Sequence, residues 1–229
     1  MKTLKLYSGN GMSSSLRVLL PQFERTHDCK IETLYEPAQI LLREITAGRT
    51  ADLGILGGSV MDQVVKQGHI VAASVRKLTS NGIGVGVIQG APRPNIGTVD
   101  DFKRTLLNAR CVAYTTEGAS GIYFAGLIEK LGIANEIKAK AKTRAGGLIA
   151  EFVVSGDAEI AVQQIPEIMA VPGVDYVGPL PAEINSISVG RAGIFTASKE
   201  PALTQALLDF LQTPQAAEVY RARGLEPQF

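Results

Sequence analysis
The residues best placed to do chemistry lie in three stretches that share one plan. In "LYSGNGMSSSL" (6–16), "ILGGSVMD" (55–62) and "TTEGASGIYFAGL" (115–127) a strand runs into a glycine or small-residue turn and then a helix. The first turn of a helix carries backbone N–H groups with no acceptor inside the helix, and they sit at the positive end of its dipole. Serine hydroxyls beside them add further donors. Such turns favour a bound anion, and in open α/β sheets they gather beyond the carboxyl ends of strands. The candidate donors are Asn10, Gly11, Met12 and Ser13 in the first turn, Gly58 and Ser59 in the second, and Ser120 and Gly121 in the third. The plainer alternative for Ser13 is a simple helix cap. Nucleotide binding is disfavoured: no Walker motif occurs, and "GNGMSS" has no third glycine.

The remaining reactive side chains form no known pattern. Cys29 and Cys111 are too few for a disulfide framework and lack metal spacing, so both read as buried or semi-buried thiols. His27 and His69 lie near the ends of helical stretches without an HxxxH or HExxH neighbour, which suits surface positions. No metal and no cofactor are called for. The 23 Lys and Arg balance 22 Asp and Glu, which argues against a nucleic-acid face or an acidic tail. No apolar run approaches 18 residues, so membrane insertion is not expected. "MKTLKLYSG" enters a strand without an apolar h-region, which reads as cytoplasmic, or as periplasmic if a leader has been removed.

The elements that must position these turns follow from periodicity. Strand-like segments at 30–36, 51–56, 82–90, 111–116, 158–162 and 186–195 alternate with helical ones, including 38–48, 98–109, 118–132 and 146–156. Leu16, Leu19, Leu20 and Phe23 mark the first helix, which Pro21 should bend. Two helices with proline in the first turn close the chain. The alternation predicts an α/β protein of parallel sheets with helices on both faces. At 229 residues and 45% apolar composition, the chain suffices for one large domain or two lobes.

"LYSGNGMSSSLRVLLPQFE", "LREITAGRTADLGILGGSVMDQVVKQGHI", "GASGIYFAGLIEKLG" and "LLDFLQTPQAAEVYRARG" together resemble the bacterial molybdate-binding proteins of the type II periplasmic binding-protein family, over nearly the whole chain. The resemblance implies two α/β lobes, 1–80 plus 190–229 and 81–189, joined by two crossing strands near 79–86 and 187–193. A ligand would lie in the cleft between them. Carried over by position, the family's first-turn serine falls on or beside Gly11, its second serine on Ala38 or Gln39, its third-turn backbone donor on Ser120, and its late tyrosine on Gln164. Two hydroxyl positions and the tyrosine have changed, which argues against molybdate; Ser13 is a partial substitute.

Arg144, between a strand-like "KAKAKT" and the "AGGL" turn, offers a bidentate partner for a carboxylate. Arg43, Arg49 and Arg191 read as surface. Gln39, Gln163 and Gln164 both donate and accept, which suits a hydroxy or unsaturated acid. A small organic carboxylate is therefore the expected ligand. Similarity to aconitate isomerases supplies one alternative, proton transfer along an unsaturated tricarboxylate, with Tyr7, Glu36, Tyr114 and Glu117 as base candidates. A molybdate or tungstate transporter component is the other. The expected partners are the small anion and, if exported, an ABC-transporter permease; a monomer is the expected state.

Overall fold
The computed structural model describes residues 1–229. In chain order the first elements are β1 (Lys2–Ser8), α1 (Ser13–His27), β2 (Cys29–Tyr35), α2 (Ala38–Thr46), β3 (Leu53–Gly57), α3 (Gly58–Lys66) and β4 (Arg76–Asn81). Then come β5 (Ile83–Ile88), α4 (Val99–Asn108), β6 (Val112–Thr115), α5 (Ala119–Lys130), α6 (Ala134–Ala139) and β7 (Ala141–Arg144). They are followed by α7 (Glu151–Val154), β8 (Ile160–Gln164), α8 (Ile165–Met169) and β9 (Val174–Pro179). The last are β10 (Ser188–Ile194), α9 (Pro201–Phe210), α10 (Pro214–Arg221) and β11 (Glu226–Pro227). The chain divides into unit 1, Met1–Ser80 with Ser188–Phe229, and unit 2, Asn81–Ile187.

Unit 1 is built on a six-stranded sheet in the order β11-β4-β10-β3-β1-β2. Alternation along the strands sends side chains to opposite faces. Leu4 and Leu6 of β1 with Leu53 and Ile55 of β3 face a core formed with Leu16, Leu19 and Phe23 of α1, Leu207 and Leu208 of α9, and Tyr220 of α10. Tyr7 and Leu56 point the other way, onto Leu41 and Ile45 of α2 and Val60 and Val64 of α3. Helix α1 runs unbroken through Pro21. Pro21 and Arg17, whose carbonyl loses its partner there, are both exposed, so water can take the place of the missing bond.

Unit 2 is built on a five-stranded sheet in the order β7-β6-β8-β5-β9. Val112 and Tyr114 of β6 and Ile160 and Val162 of β8 meet Phe102 and Leu106 of α4 and Phe124 and Ile128 of α5. Ala113 and Ala161 face Ile149, Ala150 and Val153 on the other side. Small residues on that face let the short α7 segment approach closely.

Two expectations need correction. Both sheets are mixed: β10 runs antiparallel to β3, and β5 antiparallel to both β8 and β9. β5 follows β4 after Gly82 alone and enters the unit 2 sheet where β8 ends, with Ile83 opposite Gln164. The helix expected over 146–156 is limited to Glu151–Val154, because Gly147 takes a left-handed conformation (φ +85°) and residues 145–149 form a loop.

Candidate functional site
In unit 1, β2, β1 and β3 are mutually parallel neighbours, so their carboxyl ends share one edge. That edge carries Asn10, Gly11, Ser13, Gln39, Gly58 and Ser59. The first turn differs in detail from the sequence reading. A 3-10 turn over Asn10–Met12 leads directly into α1, with Gly9 as its extended cap. The N–H groups of Met12 and Ser13 are already bonded to Gly9 O and Asn10 O. The donors left at the start of the combined helix are therefore Asn10 and Gly11.

Met12 is a correction: its side chain is buried in the core, where its sulfur accepts the Thr79 hydroxyl at 3.4 Å. Helix α3 opens on Gly57 without a side-chain cap. Arg191 of β10 reaches this turn, donating to Gly58 O at 2.8 Å and through both Nη atoms to Asp62 at 2.9 Å. Gln39 stands exposed in the first turn of α2.

In unit 2 the same construction uses β7, β6 and β8, again parallel neighbours. Beyond the strands, Thr116 N–H donates to Arg144 O at 2.9 Å and Glu117 N–H to Ala145 O at 3.0 Å. These bonds hold the loop after β6 beside the loop after β7. Helix α5 starts at Gly118 with no side-chain cap, whereas Thr98 caps α4 and Thr213 caps α10. Glycines let this helix end sit directly on β6. A Cβ on Gly121 would stand 1.8 Å from the Thr115 carbonyl oxygen, and one on Gly118 2.5 Å from Thr115 Oγ1.

Thr115 Oγ1 is buried there with no hydrogen-bond partner, as is Ser15 Oγ in the first turns of α1. A buried unsatisfied hydroxyl costs about 1–3 kcal/mol. Replacing Thr115 with valine is thus expected to raise melting stability by about 1 kcal/mol. If the hydroxyl serves the ligand, the same change lowers affinity, and thermal melts with and without ligand separate the two effects.

Arg144 ends β7. Its Nη2 donates to Leu148 O and, at 2.8 Å, to Glu151 Oε2, and its guanidinium lies over the Phe152 ring. Its Nε is buried without a partner. Gln163 is a correction. Its amide accepts from Ile149 N–H at 2.9 Å and donates to Gly147 O at 2.7 Å, so it braces the 147–149 loop and is not a free donor. Gln164, half-buried, accepts from Asn81 Nδ2 at 3.1 Å. Ser120 is buried in the first turn of α5.

Among the base candidates, Tyr7 packs edge-on to Phe195 and Tyr114 edge-on to Phe124, both inside cores. Glu36 and Glu117 are half-buried at strand ends. Sequence reasoning passed over Glu167. In "QQIPEIM" it has the look of a surface helix charge, yet it is 9% exposed in the first turn of α8. Burial pushes its carboxyl up to about 7, while hydrogen bonds from Gln163 and the Gln164 backbone act the other way.

A separate cavity of about 600 Å³ in unit 2 is lined by Val87, Pro92, Arg104, Arg110, Val153 and Ile160 among others. It opens at the amino ends of β6 and β8, the edge opposite the donor loops. Its Arg104 is paired with Asp101 at 3.2 Å.

Two α/β units with mixed sheets, each presenting glycine turns and uncapped helix starts at one sheet edge, are the fold of the type II periplasmic binding proteins. The chain belongs to the bacterial extracellular solute-binding protein family, whose model matches residues 4–226. It is 29% identical over 231 residues to an aconitate isomerase of a Pseudomonas species, covering 98% of this chain and 88% of that one. It is 23% identical over 229 residues to the molybdate-binding protein ModA of Escherichia coli (strain K12), covering 96% and 88%. Among solved structures, the periplasmic molybdate-binding protein of Azotobacter vinelandii superposes with a TM-score of 0.79 at 15% identity, covering 97% of this chain and 98% of that one. No helix is long and apolar enough to cross a membrane.

Proposed function
We propose that this solute-binding protein takes a small organic carboxylate, held in unit 2 by the helix-start N–H groups of α5 and by Arg144. The observation that carries the reading is the buried, unpartnered Nε of Arg144 in the loop zipped to the α5 start. The Nη2 atom is spent on Leu148 O and Glu151, so the bidentate edge expected from the sequence is not free; the charged Nε–H beside backbone donors still suits an anionic carboxylate. By the resemblance, the molybdate-ligating hydroxyl positions fall on or beside Gly11, on Ala38 or Gln39, and on Gln164, where no hydroxyl stands. A permease partner of an exported solute-binding protein belongs to the same proposal.

A thermal-shift screen with molybdate, tungstate, sulfate, citrate and both aconitates tests it. A ligand at a hundred times its Kd adds about 2.7 kcal/mol. A response to carboxylates is expected; a response to molybdate alone overturns the reading. Arg144→Ala is expected to lower carboxylate affinity about tenfold to hundredfold by calorimetry, with the fold retained.

The relative named aconitate isomerase favours a second reading, in which the bound acid is also converted. A base would take a proton from the carbon beside one carboxylate, and the electron pair would shift along the allylic system. A proton would then return at the far carbon. Glu36 and Glu117 are the candidates at strand ends. An ultraviolet change over time with either aconitate supports this reading, and unchanged spectra of a bound aconitate exclude it.

A further inference from the structure
We propose that the cavity at the amino ends of β6 and β8 is a second ligand site, suited to a medium-chain amphiphile with one carboxylate head. It lies at the sheet edge opposite the donor loops and does not depend on the carboxylate reading above. Its volume of about 600 Å³ is that of a small-molecule pocket. Its walls are largely apolar: Val87 from the end of β5, Val153 from α7 and Ile160 from the start of β8. Ile88, 45% exposed, carries this apolar surface out to solvent. The rim is set in advance. Pro92 and Pro94 fix backbone angles in the loop before α4, and Thr105 Oγ1 of α4 donates to Asn95 O in that loop at 2.7 Å. Filling a pocket whose walls are already ordered costs little further entropy.

The head group follows from which charges are already satisfied. Four charged side chains line the cavity: Asp101, Arg104, Arg110 and Glu159. Asp101 pairs with Arg104 at 3.2 Å and accepts the Thr98 hydroxyl at 2.9 Å. Glu159 accepts the Arg110 backbone N–H at 2.9 Å. The Arg110 guanidinium has neither a hydrogen bond nor an ion pair. An apolar body with a single anionic end matches this set. The chain leaves water against Val87, Val153 and Ile160, and the carboxylate meets Arg110. A citrate-like polyanion does not match, because its further charges would face Glu159 and Asp101 with no second free cation.

Calorimetry of the unaltered chain with hexanoate, heptanoate and octanoate tests the site. Affinity is expected to rise about fourfold with each added methylene, as each is removed from water. 1-Octanol, with the same chain and no charge, should bind about tenfold more weakly than octanoate. Arg110→Gln should bring octanoate down to the level of 1-octanol and leave 1-octanol unchanged. Arg110 is exposed, so the variant is expected to fold, which its melting midpoint checks. In methyl NMR spectra of the unaltered chain, octanoate should shift the Val153 and Ile160 signals. An affinity that does not change with chain length overturns the site, as does octanoate binding that Arg110→Gln leaves intact. Unmoved Val153 and Ile160 methyls with octanoate bound, or no binding of octanoate at all, also overturn it.

Discussion

At pH 8 the Glu167→Gln protein is expected to be about 2–3 kcal/mol more stable than the unaltered chain, and near pH 4.5 the two should differ by less than about 1 kcal/mol. The carboxyl is buried, and its folded value of about 7 lies above the ordinary 4.5. Between those values the folded chain holds a proton that the unfolded chain has released, so stability falls as pH rises. The contribution is fully present below about 4.5 and is lost as pH passes through about 7. A neutral amide of the same shape removes that dependence. Urea denaturation of both proteins at several pH values measures the difference directly, and parallel profiles would mean that Glu167 ionises like a surface carboxyl.

Gly121→Ala is expected to be the most damaging single methyl group in unit 2. Its Cβ would lie 1.8 Å from the Thr115 carbonyl oxygen and 2.5 Å from Thr115 Oγ1, and the carbonyl belongs to the backbone at the end of β6. The start of α5 would have to lift off the strand. Overpacking of this kind costs about 3 kcal/mol, and here it also displaces the Ser120 and Gly121 N–H groups. Anion binding should be lost with it. Gly126, on the same helix, has nothing within 4 Å of its Cβ position. Gly126→Ala should therefore stabilise by about 0.5–1 kcal/mol through helix propensity. Denaturation midpoints of the pair check this, and similar midpoints would refute the close approach.

Much of the fold was legible because its signal is local. The periods of Leu16, Leu19, Leu20 and Phe23, and of Phe102 and Leu106 behind the Thr98 cap, announce α1 and α4 without tertiary help. The three strand–turn–helix stretches are likewise visible as residue types. What was not legible depends on partners distant in sequence. β4 reads "RKLTSN" and β9 "VDYVGP", neither with a clean alternation; β4 lies between the terminal β11 and β10, and β9 is half-buried at its sheet edge. The first-turn donors narrowed from Asn10, Gly11, Met12 and Ser13 to Asn10 and Gly11 because a 3-10 turn begins the helix early, beside a Gly9 N–H that bonds Ile55 O. Gln163 and Glu167 look like free polar groups in one dimension. The commitment of Gln163 follows only when β8 is set beside the 147–149 loop, and the burial of Glu167 only when α8 packs on its sheet.

The order of strands in unit 1 also governs how the chain acquires structure during synthesis. Its sheet runs β11-β4-β10-β3, so β4 gains both of its neighbours only from residues after 187. Unit 2 is one uninterrupted stretch, Asn81–Ile187, whose strands all pair among themselves. A ribosome making about 5–20 residues per second delivers the whole of unit 2 before the strands that complete unit 1. The interior module can thus mature while its host is still half-made, leaving Leu78 and the neighbouring sheet face uncovered in the nascent chain until the last forty or so residues emerge.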